Sequence, residues 1–199
     1  MELATLALFI LTFGSILILP GPNSAFAVGQ SLKFGVINSL FVPLGFMTAT
    51  GLHALFVFSG LGIIIQEFSI AISLLKWLGI IYLLWLAYKS FTSKPSRIEV
   101  SAKEIPKLKM YFSAMFVSLT NPKALLASIM VFPLFIAAEY EYATQAITLS
   151  LASMAISFSV YSSYSLAASM LKNRISGSKL ANRIVGSLYL GAAGTLAIK

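Results

Sequence analysis

Two short segments of this 199-residue chain combine backbone breakers with side chains suited to holding a small polar molecule. One is Pro20-Gly21-Pro22-Asn23 and the other is Asn121-Pro122-Lys123. Proline has no amide hydrogen, so neither Pro22 nor Pro122 can donate to a carbonyl one turn back. The residue before each proline is also pushed out of the helical region. Proline is well suited to the first position of a new helix behind a cap, and asparagine is among the best caps. Asn121-Pro122 has that order. In the first segment, either Gly21 caps a helix starting at Pro22 or Asn23 caps one starting at Ser24. Each break would present amides at the positive end of a half-helix, a natural seat for a carboxylate. Carbonyls freed from the preceding segment could receive an ammonium group. An amino acid carries both groups on one carbon. The plainer alternative is that neighbouring helices satisfy the freed backbone. Pro20, Gly21, Pro22, Asn23, Asn121, Pro122 and Lys123 are the candidate substrate-binding residues.

Lys123 strengthens this reading. It lies fourteen residues past Lys109 and sixteen before Glu139, about 21 and 24 Å of helix. In an upright span that is mid-membrane, where a lysine costs about 2.5–3.5 kcal/mol on insertion scales. A pocket, a water-filled path or a carbonyl partner would offset that cost; snorkelling along a tilted helix is the alternative.

His53 is the single histidine and follows Thr48, Thr50 and Gly51 within an apolar stretch. With an ordinary pKa near neutrality it is the candidate for proton coupling, and a histidine hydrogen-bonded between helices is the competing reading. Ser150, Ser153, Ser157, Tyr161 and Tyr164 share one helical face by spacing. Close packing through small residues is favoured for that face over lining a path, and the same reading applies to Gly186, Gly191 and Gly194.

The elements that would position these groups are membrane spans. Hydrophobic residues make up 58% of the chain and charged residues 10%, with a mean hydropathy of +0.91. Soluble domains hold about 25% charged residues, so a soluble fold could not cover its surface with this set. Six stretches approach the roughly 20 apolar residues that a spanning helix needs: 3–32, 36–65, 69–91, 110–138, 143–169 and 183–198. The first and fourth are about 30 residues long, which as continuous helix exceeds the hydrocarbon core, and these are the two that carry the breaks. The N-terminus lacks a basic flank and has only Glu2, so the first stretch is expected to be a retained span and not a cleaved signal.

Charges between the stretches alternate in sign. Lys33 follows the first, and Glu67 stands alone in the second junction. Residues 89–109 hold six bases against Glu99 and Glu104. Glu139 and Glu141 occupy the fourth junction, and Lys172, Arg174, Lys179 and Arg183 the fifth. Basic loops stay cytoplasmic, which predicts both termini outside. The net charge of +8 is thus topological, and no nucleic-acid partner is expected. With no cysteine in the chain, thiolate metal sites are excluded, and neither a metal nor a cofactor is expected.

The third and sixth stretches share a pattern, since Lys76-x-x-Gly79-x-x-Tyr82-Leu83 matches Arg183-x-x-Gly186-x-x-Tyr189-Leu190. Together with the two proline breaks this predicts an all-α polytopic membrane protein of six transmembrane helices. They would form two inverted three-helix repeats, with the first and fourth helices broken at the Pro motifs. The expected layout is one transporter domain over 1–199, with a first half at 1–91, a basic cytoplasmic loop at 92–109 and a second half at 110–199. Chance similarity plus two tolerated proline kinks is the alternative.

Taken together, these motifs resemble the LysE/RhtB family of bacterial amino-acid exporters. The resemblance runs through Pro20-Gly21-Pro22-Asn23, Gly35, Thr50-Gly51-Leu52-His53 and Gly60-Leu61-Gly62. It continues through Lys76-Trp77-Leu78-Gly79, Asn121-Pro122-Lys123 with the preceding Phe116–Thr120, Pro133-Leu134-Phe135, and Gly186-Ser187-Leu188-Tyr189. It implies efflux of amino acids or close derivatives across the bacterial cytoplasmic (inner) membrane. The driving force would be an ion gradient, most simply of protons, and no phosphate-binding glycine loop with a lysine is present. Many members carry an aspartate about where Thr50 stands, whereas this chain has none, which leaves His53 and Glu67 as nearby candidates for coupling. The expected partners are a small amino-acid substrate, the coupling ion, the lipid bilayer and, as an open question, a second copy of the chain. Two other classes compete: an intramembrane serine hydrolase using His53, for which no nucleophile motif is present, and a non-transporting assembly subunit.

Overall fold

The computed structural model describes residues 1–60, 69–92, 107–175 and 179–198. Every regular element among them is helical: α1 (Leu3–Ile18), α2 (Pro22–Phe34), α3 (Val36–Ser39), α4 (Phe41–Phe58), α5 (Ser69–Thr92), α6 (Lys107–Leu119), α7 (Pro122–Val131), a 3-10 turn (Phe132–Phe135), α8 (Tyr142–Ile175) and α9 (Lys179–Ile198). Glu67, Leu61-Gly62 of the quoted motifs and most of the basic 92–109 segment lie outside the described residues.

Both predicted breaks are present. Pro20 holds Leu19 in an extended conformation, so α1 stops there. Pro22 and Pro122 then occupy the first positions of α2 and α7. The chain turns by 66° between α1 and α2 and by 62° between α6 and α7. A second kind of corner follows α2, where Gly35 has φ of 82°, a left-handed value that a side chain would strain.

Residues Ile37–Phe58 and Tyr142–Met170 are each long and apolar enough to cross a membrane, and the two bent pairs reach that measure as pairs. α5 and α9 are not among the spans that this measure establishes over the described residues. The polytopic class therefore stands on four spans, while the six-span count rests on α5 and α9. Packing runs mostly between the two sequence halves, with α4 against α6 and α8, α2 against α8 and α9, and α5 against α9.

Polarity is arranged inside out. Leu8, Leu11, Leu74, Met130, Ile147 and Leu151 are exposed, while Asn23, Ser31, Thr50, His53, Asn121, Ser157 and Ser165 are buried. A water-soluble surface would have the opposite pattern; a lipid-facing one has this pattern, because lipid tails are as apolar as the leucines that meet them. Two aromatic cores hold the bent helices. Phe9 and Phe13 of α1 pack on Phe132 and Phe135 beyond the second break, with ring centroids 5.3–5.8 Å apart. Phe26, Phe46 and Tyr161 tie α2, α4 and α8 together.

The helix ends sort into two groups. At one end Tyr140 reaches Glu2, and the Tyr142 hydroxyl donates to the Phe58 carbonyl at 2.7 Å. The connector there is pinned by fully buried Gln145, which accepts from the Ala137 amide and donates to the Ala137 and Tyr140 carbonyls, each at 2.9 Å. At the other end Lys33 lies within electrostatic reach of Lys89, Ser90 donates to the Asn182 carbonyl, and Lys107 stands over the Phe41 ring.

Candidate functional site

The two breaks, about a hundred residues apart in sequence, meet inside the protein. At the first, the Ser24 hydroxyl turns back on Gly21, accepting from its amide at 2.8 Å and donating to its carbonyl at 2.9 Å. Gly21, not Asn23, takes the cap position, and the helix starts at Pro22. This leaves the Asn23 side chain to project into the interior, where its amide donates to Ser118 Oγ at 3.1 Å. At the second break Asn121 is the cap, and its side-chain oxygen accepts from the Lys123 amide at 3.1 Å. The Asn121 side-chain nitrogen donates to the Asn23 side-chain oxygen at 3.0 Å. Asn121, Asn23 and Ser118 thus form one hydrogen-bonded row, each 1–3% exposed.

The carbonyls freed at the end of α1 are also taken. Lys123 Nζ donates to the Leu19 carbonyl at 2.7 Å, and the Tyr164 hydroxyl donates to that of Ile18. Neighbouring helices thus satisfy the freed carbonyls, the plainer of the two alternatives, and Lys123 has the carbonyl partner expected of it. An ammonium is favoured there because the carboxyl end of a helix carries the negative pole of its dipole.

Between the breaks lies a pocket of about 10 Å³, room for roughly one water. Leu19, Asn23, Asn121, Lys123 and Tyr161 bound it. A second, wider cavity of about 390 Å³, open to the outside of the protein, lies alongside, lined mostly by apolar surface from Pro20, Ala25, Val28, Leu188, Gly191 and Ala192. Gly21 and Ser24 line both and form the wall between them.

The surroundings of the two breaks differ. A Cβ on Gly79 of α5 would lie 2.9 Å from the Thr120 carbonyl, so α5 is pressed against the second break. Gly186, its counterpart in the sequence pattern, packs on Phe91 of α5 and not on the first break. Gly191 and Gly194 have nothing within 4 Å of a Cβ among the described residues, so the packing expected of them is absent there, and Gly191 lines the larger cavity.

Pro20, Gly21, Asn23, Asn121 and Lys123 therefore line one or both cavities, and Pro22 and Pro122 set the helix starts that place them. His53 is buried on α4, lines neither cavity, and its Nε2 has no hydrogen-bond partner among the described residues. Thr50, one turn earlier, pairs with Ser157 Oγ at 3.0 Å, which makes that part of the α8 face a packing seam as expected. Further along the same face the expectation fell short, since Tyr161 and Tyr164 reach the breaks. The sequence alone did not single out Ser24 or Ser118, nor which of the freed carbonyls Lys123 takes. Ser24 had a usable signal in its position three residues past Gly21, the spacing of a capping box; a particular main-chain carbonyl has none.

The sequence matches the LysE type translocator family over residues 14–199. Among its relatives, it is 26% identical over 193 residues to the "Homoserine/homoserine lactone efflux protein" of Salmonella typhi, covering 95% of this chain and 94% of that one. It is 27% identical over 191 residues to the "Leucine efflux protein" of Klebsiella pneumoniae, covering 92% and 89%, and 25% identical over 182 residues to an "Uncharacterized membrane protein" of Vibrio cholerae, covering 89% of each. No solved structure matches it. With the match spanning nearly the whole chain, both proline breaks included, this multi-pass membrane protein belongs to the LysE type translocator family, whose members are transporters and not enzymes.

Proposed function

We propose that this protein is a secondary exporter of amino acids or their close derivatives across the bacterial inner membrane, and that the substrate binds where the two breaks meet. The observation that carries this reading is the pairing of Asn23 with Asn121 beside the Lys123–Leu19 contact. It gathers side-chain amides, a carbonyl at a negative helix end and a lysine ammonium around one point, groups suited to a carboxylate and an ammonium on one carbon. The names of the efflux relatives agree with it.

In the resting arrangement the Lys123 ammonium occupies the place on the Leu19 carbonyl that a substrate ammonium would take. Binding would swing Lys123 toward the substrate carboxylate and free that carbonyl. The driving ion is a proton, with His53 as its carrier, since its buried Nε2 is left without a partner among the described residues. In this reading residues 1–91 and 110–199 are inverted halves around the 92–109 loop, and the grouping of Lys33, Lys89 and Lys107 at one end supports a cytoplasmic side there. A reporter fused at Ser101 is expected to stay inside, and one at Tyr140 to be exported; the reverse pattern refutes this orientation.

The transport reading is tested by loading cells with dipeptides and following free amino-acid release with and without the protein. Excess release of at least one amino acid is expected. Equal release of every amino acid in the two strains would overturn the proposal.

A further inference from the structure

We infer that the 390 Å³ cavity beside the first break is the side-chain subsite of the exporter, and that it selects amino acids with bulky aliphatic side chains. This rests on the transport reading above and adds to it the substrate class and the residues that set it.

Three observations converge on the cavity. Its volume falls within the range of small-molecule sites, about 300–1,000 Å³. Its lining is mostly apolar, with hydroxyls only from Ser24, Tyr164, Ser187 and Thr195, so it offers no charged partner to a carboxylate or an ammonium on a side chain; burying such a group without a partner is unfavourable. It also shares the Gly21–Ser24 wall with the small polar pocket that holds Asn23, Asn121 and Lys123. An α-amino acid joins a zwitterionic head to a side chain through one carbon. The two spaces present that same polarity across one wall, with the polar groups of the small pocket matching the head once Lys123 moves aside and the open cavity matching an aliphatic group.

The helix α9 sets the size of the space. Ser187, Leu188, Gly191 and Thr195 face it from successive turns. Gly191 matters most, because a Cβ there meets nothing within 4 Å. A larger side chain at 191 would project into the cavity without first displacing a neighbour. Where Gly79 lets α5 close on the second break, Gly191 leaves room at the first.

The test compares release of leucine and of alanine from dipeptide-loaded cells carrying the unsubstituted protein, Gly191→Leu or Ser187→Leu, with membrane abundance measured for each. The unsubstituted protein is expected to release leucine or a similar aliphatic amino acid. Filling the cavity is expected to lower the leucine-to-alanine release ratio about tenfold or more, the scale on which apolar pockets discriminate by size. The exposed Ser187 position keeps the measurement possible if Gly191→Leu does not reach the membrane. An unchanged ratio in both variants, as a lipid tail in the cavity would give, overturns the subsite while leaving the exporter intact. Release confined to hydroxylated or charged amino acids also overturns it. No release of any amino acid by the unsubstituted protein overturns the exporter reading itself.

Discussion

Asn121 donates its side-chain amide to the side-chain oxygen of Asn23 at 3.0 Å, joining the two broken helices at residues 98 positions apart. Both side chains are buried, and each is placed by the proline next to it. Removing either one leaves the other with an unmet amide group in an interior that lacks a ready replacement. Asn23→Ala and Asn121→Ala are each expected to reduce amino-acid release, and the double variant to be no worse than the weaker single. Thermal unfolding in detergent should give a coupling of about 1 kcal/mol or less, in line with hydrogen bonds between membrane helices. Additive losses in both measurements would show that the pair does not act as a unit.

Lys123→Met keeps most of the apolar stem and removes the ammonium that caps the Leu19 carbonyl. Release is expected to fall at least about tenfold, the rate equivalent of roughly 1.4 kcal/mol, with the protein still present in the membrane. Unaltered release by a normally abundant variant would remove Lys123 from the site.

His53→Gln retains a polar side chain of similar reach in a buried place but cannot carry a proton across neutrality. Release is expected to lose its dependence on an imposed pH gradient while downhill exchange of amino acid persists. A variant whose release still follows the pH gradient would clear His53 of coupling.

Gly79→Ala places a methyl group 2.9 Å from the Thr120 carbonyl, a main-chain atom held by the second break. Overpacking of this kind costs about 1–3 kcal/mol, so the unfolding midpoint should drop and release should fall with it. Gly194→Ala, where a Cβ meets nothing within 4 Å, serves as the contrast. It should be neutral or stabilising by up to about 1 kcal/mol. Equal behaviour of the two variants would show that α5 does not bear on the break.

The legibility of the sequence followed the physics of each feature. Proline acts on its own neighbours, so the breaks and the helix starts at Pro22 and Pro122 could be read from local order. Apolar length marked the spans at Ile37–Phe58 and Tyr142–Met170. The partner of Lys123 was foreseen as a class, a carbonyl, but its identity depends on how two bent helices cross. The roles of Ser118, Tyr161 and Tyr164 were hidden for the same reason, because each acts on a residue far away in sequence. Gly79 and Gly186 match in the sequence pattern, yet one meets a break and the other a phenylalanine.

The bond between Asn23 and Asn121 also has a consequence for how the protein is made. The first bent helix leaves the ribosome with the Asn23 amide and the Leu19 carbonyl still waiting for partners that lie some hundred residues downstream. At roughly 5–20 residues per second, translation takes about 5–20 s to deliver them. Through that interval the kinked segment depends on water, on the translocation machinery or on temporary neighbours for its polar groups. Its final seat in the lipid is settled only when the second kink arrives.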